Sequence, residues 1–285
     1  MKKSNKNGLW HNAWRRLKRN KRAMFGMYFF FLLIIIAALA SVIAPEGYNN
    51  QVIRDQFIAP CAEHWFGTDK LGRDILTRII WGARYSISIG VVSVTISMVL
   101  GGIIGAIAGF YGGTVDNVIM RIMDVIQAIP NVLLAIAVAA ALGTGLFNTM
   151  LAIGLSGIPG FARLIRASVL SIRESEYIEA ARAITASDSR IIAKHIIPNV
   201  LSPVLVQATM NIGSSILTAA ALSFIGLGVQ APMPEWGAMI SEGRNYIINN
   251  WYVATFPGLA IVITVVSINL FGDGLRDALD PRLSR

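Results

Sequence analysis

The feature that most constrains this chain is a series of long runs almost free of charge. A helix that crosses the hydrocarbon of a bilayer needs about 20 mainly apolar residues. Such runs stand near residues 25–44, 86–110, 118–143, 147–165, 200–228 and 253–272. The clearest passes from Met27 to Ala44 without a charge, whereas the third and fourth are parted only by the thin separator Gly143 to Asn148. The predicted fold class is therefore an all-α membrane protein with six transmembrane helices. Composition agrees: 54% of the residues are hydrophobic and 14% charged, against about 25% charged in an ordinary soluble domain.

A net charge of +9 would suit a nucleic-acid partner if the cations formed a patch. They do not. Lys2, Lys3, Lys6, Arg15, Arg16, Lys18, Arg19, Lys21 and Arg22 crowd the leader with no acidic residue among them, which predicts a cytoplasmic N-terminus. Six spans bring the C-terminus to the same side. The connector between spans four and five then also faces the cytoplasm, in keeping with Arg163, Arg166, Arg173, Arg182, Arg190 and Lys194. The stretch from Pro45 to Arg84 falls outside, its cations matched by Glu46, Asp55, Glu63, Asp69 and Asp74. No signal-peptide cleavage pattern follows the leader, so the first span is expected to stay as an anchor. Leu9, Trp10, Ala13, Trp14 and Leu17 share one helical face in a basic surround, the pattern of a helix lying in the inner headgroup layer. The expected division is a basic tail and interfacial helix over 1–24, a first span over 25–44, an extracytoplasmic connector over 45–85, a five-helix core over 86–272 and a cytoplasmic tail over 273–285.

The spans lack what several functions require. Cys61 stands alone, and His11, His64 and His195 lie far apart, so neither a disulfide nor a metal cluster is signalled. Span centres are nearly free of the carboxylates and histidines on which an ion-coupled secondary carrier relays its ions. No lysine follows a glycine, so there is no Gly-x-x-x-x-Gly-Lys phosphate loop, and any ATP must be bound by a partner. Gly272-Asp273-Gly274 lacks the second carboxylate of an aspartyl protease and reads as a residue at the membrane boundary. A non-catalytic subunit without a cofactor is expected. Gly101, Gly105 and Gly109 recur every four residues in span two and predict a seam where another helix approaches closely.

The connector, about 166–199, reads as two short helices. Residues 174–186 hold good helix formers; Ser187 or Asp188 caps a second helix that Pro198 ends. Small residues at Ala180, Ala181 and Ala183 leave room for another protein's backbone, with the charge of Glu179 beside them. Glu179-Ala180-Ala181, followed by Ile197-Pro198, resembles the Glu-Ala-Ala loop of the membrane subunits of bacterial ABC importers, which docks on the ATPase subunit. The family pattern has glycine where this chain has Thr185. Because threonine is poorly suited to positive φ, the turn is expected to shift or the first helix to lengthen.

The resemblance covers nearly the whole chain. His64-Trp65-Phe66-Gly67-Thr68-Asp69-Lys70-Leu71-Gly72-Arg73-Asp74, then Gly82-Ala83-Arg84, Pro232-Met-Pro-Glu-Trp-Gly237 and Gly272-Asp-Gly-Leu-Arg-Asp-Ala-Leu-Asp-Pro281 look like the C-type permeases of dipeptide, oligopeptide, glutathione and nickel importers, in the same order. Apart from the resemblance, Gly67 to Arg84 reads as a capped turn and an amphipathic helix at the outer surface, with Asp69, Arg73 and Asp74 expected to bridge locally. The resemblance implies a type I importer permease in the cytoplasmic membrane that moves short peptides, with nickel or glutathione as alternatives. It further implies a B-type permease partner, two ATPase subunits carrying the ATP, and an extracytoplasmic substrate-binding protein. Glu179, Ala180, Ala181, Thr185 and Pro198 would form the coupling loop. Gln207, Asn211, Ser214 and Ser215 in span five offer polar groups that either line the path or bond neighbouring helices. Trp236, with Glu235, is either an interface anchor or a docking point for the binding protein.

Overall fold

The computed structural model describes residues 8–279 except 184 and 186; the side chains of 8–10, 12, 180–182 and 189 are likewise not described. Lys2, Lys3, Lys6 and Pro281 thus lie outside the described residues. Among those described, the regular elements are helical, with a single bridge pairing Thr68 and Asp74.

An amphipathic helix α1 (Gly8–Arg19) leads into α2 (Lys21–Ala38), which the short turn α3 (Ala40–Ile43) extends. Asn20 starts α2 by accepting from the Ala23 N–H at 3.2 Å. After a long loop comes α4 (Ile75–Tyr111), 37 residues long. At 1.5 Å per residue it measures about 55 Å, well beyond a hydrocarbon core of about 30 Å. α4 therefore begins inside the stretch expected as connector over 45–85, where Asp74 caps the helix by accepting from the Thr77 N–H at 2.7 Å. Gly112, at φ +66°, ends it.

The third and fourth runs are not straight helices. α5 (Gly113–Gln127) and α6 (Asn131–Leu142) meet at 86°, and α7 (Leu146–Ser156) and α8 (Ile158–Ile172) at 41°. Pro130 accounts for the sharper break, since it donates no hydrogen bond and disfavours helical backbone before it. The single span expected over 118–143 is thereby corrected to a broken pair. The chain continues through α9 (Glu176–Ala183), α10 (Asp188–Ile191), one π turn (Ile192–Ile196), α11 (Ile197–Phe224), α12 (Trp236–Gly243) and α13 (Tyr252–Leu279). Four stretches are long and apolar enough to cross a membrane, and the two bent pairs make six if each is one crossing.

The predicted glycine seam joins α4 to α8. A Cβ on Gly101 would stand 2.6 Å from the Ile158 carbonyl oxygen, one on Gly105 2.2 Å from that of Ala162, and one on Gly109 2.8 Å from Val169 Cβ. The absent side chains let the two backbones touch and gain dispersion contact where water supplies no hydrophobic drive. α1 differs from expectation: Ala13 and Leu17 are buried against Ala23, Met27, Ala278 and Leu279, while Trp14 stays exposed. Part of the face expected to lie in headgroups instead closes the end of α13.

Gly105→Ala is expected to force α4 from α8 and destabilise the protein by about 1–3 kcal/mol, the usual cost of overpacking. Gly102→Ala, whose Cβ would meet only the tip of Ile165 at 3.3 Å, should be nearly neutral. Thermal melting in detergent compares the two.

Candidate functional site

Three regions carry the candidate residues. The first is the module from α9 to the π turn. Ile178, Ile191 and Ile196 are fully buried in one apolar cluster with Phe110 of α4, Ile165 and Val169 of α8, and Val200 and Val204 of α11. Branched side chains thus plug the module into the bundle core. Its other face is open: Tyr177, Glu179, Ala183 and Thr185 are exposed, as is Pro198 in the first turn of α11. Ala180 and Ala181 belong to α9, but their side chains lie outside the described residues.

Thr185 overturns the expectation of a shifted turn. α9 stops at Ala183, and Thr185 itself adopts φ +54°. The turn is kept where the family has glycine, and a β-branched residue carries a conformation that costs it about 1–2 kcal/mol. Behind the module, Arg173 Nη1 donates to the Gly109 carbonyl near the end of α4 at 3.3 Å, a cation at a helix C-terminus. Arg166 grips Asp116 of α5 through Nε and Nη2 at 2.5 and 2.6 Å, and Arg163 meets Asp124 at 2.7 Å. These arginines, counted in sequence as connector charge, tie α8 to α5.

The second region is mid-bundle. Gln207 and Ser214 are exposed on α11 and Asn211 is half-buried, whereas Ser215 is buried. Gln207 Nε2 donates to Asn211 Oδ1 at 3.0 Å, and Thr218, overlooked in the sequence, continues the stripe by donating to the Ser214 carbonyl at 2.9 Å. Ser215, one turn beyond Asn211, lies on the inward edge of this stripe and is buried. Asn211 borders a cavity of about 300 Å³ whose far wall includes Gln127 and Asn131 at the α5–α6 break. Nothing in the sequence joins those positions; only the bend at Pro130 does.

The third region is the N-terminal end of α4. Asp69 accepts from Arg73 Nε at 2.6 Å and Arg78 Nη1 at 2.5 Å, and both arginines also reach Glu242 of α12, at 2.9 and 3.0 Å. The local bridge expected among Asp69, Arg73 and Asp74 is thus partly replaced. Asp74 instead caps α4 and meets His64 Nδ1 at 3.0 Å. Glu242 was missed because it lies far along the chain. The docking role for Glu235 and Trp236 is corrected: their exposures are 0% and 1%. Glu235 caps α12 by accepting from the Gly237 and Ala238 N–H groups at 2.9 and 2.8 Å, and Trp236 Nε1 donates to the Ile79 carbonyl at 3.0 Å. Neither side chain is available to another protein.

Residues 101–285 match the family described as binding-protein-dependent transport system inner membrane component, and residues 8–60 the N-terminal transmembrane domain of oligopeptide transport permease C. The chain is 47% identical to the dipeptide transport system permease protein DppC of Alkalihalophilus pseudofirmus, over 96% of this chain and 90% of that one. It is equally similar, at 47%, to the glutathione transport system permease protein GsiD of Pectobacterium atrosepticum, over 96% and 91%. In fold it resembles a chain of the MetNI methionine ABC transporter, with a TM-score of 0.59 at 20% identity over 72% of this chain and 98% of that one.

Replacing Thr185 by glycine should relieve the left-handed strain and stabilise the module by about 0.5–1 kcal/mol after the entropy of glycine is deducted. Thr185→Pro, locked near φ −65°, should unfold it. Hydrogen exchange of the amides over 176–199 is the measurement: slower in the glycine variant, faster in the proline variant.

Proposed function

The chain belongs to the family of binding-protein-dependent transport system inner membrane components, and on that premise we propose that it is the C-type permease of an importer for short peptides. The ABC importer permease is its class; the peptide substrate, the partner subunits and the orientation are our proposal. Both curated relatives named above, one for dipeptides and one for the tripeptide glutathione, support a short-peptide cargo.

In this proposal a B-type permease supplies the other half of the path, two ATPase subunits bind and hydrolyse ATP on the cytoplasmic side, and an extracytoplasmic binding protein delivers the peptide. The chain itself performs no chemistry. The observation that carries the coupling role is the two-sided character of the α9–α10 module, exposed at Glu179, Ala183 and Thr185 and seated in the core through Ile178 and Ile191. A displacement applied to the exposed face passes directly to α4, α8 and α11, because close-packed side chains transmit strain rather than absorb it. The arginine ties from α8 to α5 extend that motion to the α5–α6 break.

Ala183→Trp should obstruct a docked ATPase and Glu179→Ala should weaken its hold. Both should lower ATP-dependent uptake and co-purification of the ATPase while leaving membrane insertion intact. Normal assembly and transport in both variants would reject the docking role.

Orientation has its own test. Cys61, the sole cysteine, is exposed in the loop before α4. A membrane-impermeant thiol reagent added outside intact cells should label it, whereas Ser187→Cys in a Cys61→Ser background should react only after the membrane is opened. The reverse pattern would invert the topology.

A further inference from the structure

The break between α5 and α6, the break between α7 and α8, and the middle of α11 border one cavity of about 300 Å³. The wall carries no charged side chain; its polar side chains are Gln127, Asn131, Ser156 and Asn211. Ser156 is spent within its own helix, donating to the Ile153 carbonyl at 2.9 Å. The carboxamides are not spent. Asn211 Oδ1 accepts from Gln207 Nε2, which leaves Asn211 Nδ2 to donate. Gln127 and Asn131 make no side-chain hydrogen bond among the described residues. α6 also begins at this cavity, behind Pro130, without a side-chain cap.

Asn211 stands near the middle of the apolar stretch Ile192–Phe224 and is half-buried, while Gln127 and Asn131 are exposed at the rim of the cavity. Amide groups at that depth are costly without partners. Irregular backbone at membrane depth persists only where it is buried in protein or lines a cavity. Three carboxamides gathered around two helix breaks therefore call for a polar occupant.

We propose that this cavity is one half of a transit site for the peptide group itself, with Gln127, Asn131 and Asn211 pairing with the main-chain N–H and C=O of the cargo. This rests on the short-peptide reading above. A carboxamide presents the same acceptor and donor as a peptide bond, so the pairing is reciprocal and indifferent to the cargo's side chains. With no fixed charge in the wall, neither peptide terminus is captured, and the hold stays shallow enough for release, as a conduction site requires. The carboxamides replace part of the water that the cargo's amides lose on entering.

The test uses the complete importer in proteoliposomes, with its binding protein, ATP and a dipeptide as probe. Asn131→Leu with Asn211→Leu removes two pairings at little change in size. The expected result is a fall in maximal uptake of about tenfold. The half-saturating dipeptide concentration, set by the binding protein, and the recovery of the partner permease should be unchanged. Asn131→Gln with Asn211→Gln should restore part of the rate. Unchanged uptake in the leucine variant overturns the inference, as does loss of the partner permease from that variant, which would make these amides subunit contacts. A native complex that imports no short peptide overturns the peptide reading and this inference with it, so the control separates the two failures.

Discussion

The rest of the structure depends on the backbone contact between α4 and α8. In hydrocarbon there is no hydrophobic drive to press helices together, so close packing and polar contacts must hold them. Gly101, Gly105 and Gly109 remove the side chains from one face of α4 and let the Ile158 and Ala162 carbonyls come against it. That leaves the other faces of α4 for α2, α7 and α11, and makes it the post on which both bent pairs and the α9–α10 module are assembled. The module is anchored to the bundle because its isoleucines enter the same cluster that the seam closes.

At its N-terminal end α4 is secured by charge rather than by small residues. Asp69, Arg73 and Arg78 are each 2% exposed, and they are tolerable there because each charge meets opposite ones and Glu242 completes the set from α12. Charges so enclosed are weak evidence of stability, since desolvation offsets much of their attraction, but losing one partner strands the others. The cluster therefore fixes how the long loop before α4 and α12 sit on α4. Glu235 and Trp236 belong to this framework, and for that reason they face inward.

Much of this was legible from residues alone. The apolar runs located the membrane helices, the glycine spacing found the seam, and Glu179-Ala180-Ala181 marked the module. What failed did so for identifiable reasons. Apolar content does not separate a straight span from one broken at Pro130, because both halves are equally apolar. Helix length beyond the membrane is set by a cap, so the start of α4 had to be read from Asp74 rather than from hydropathy. A tryptophan that follows two prolines looks like a surface anchor until Gly82 is found opposite it, where a Cβ would lie 2.8 Å from the indole. Thr185 was judged by local preference, and surrounding structure overrode that preference at a cost the fold sustains.

The sequence by itself determined the class of molecule: an all-helical membrane protein, since the requirement that backbone groups be satisfied in lipid leaves a long apolar run few options, with the permease subunit following from the resemblance of its motifs. It also determined where the glycine seam lies, because helical spacing is a property of a single segment. Only the tertiary structure decided which polar groups meet. Glu242 accepts from Arg73 across 169 positions of chain, and Gln127 and Asn131 come to the same cavity as Asn211. Such meetings depend on the angle at which helices break and cross, and that angle is set by packing between segments, which no single segment encodes.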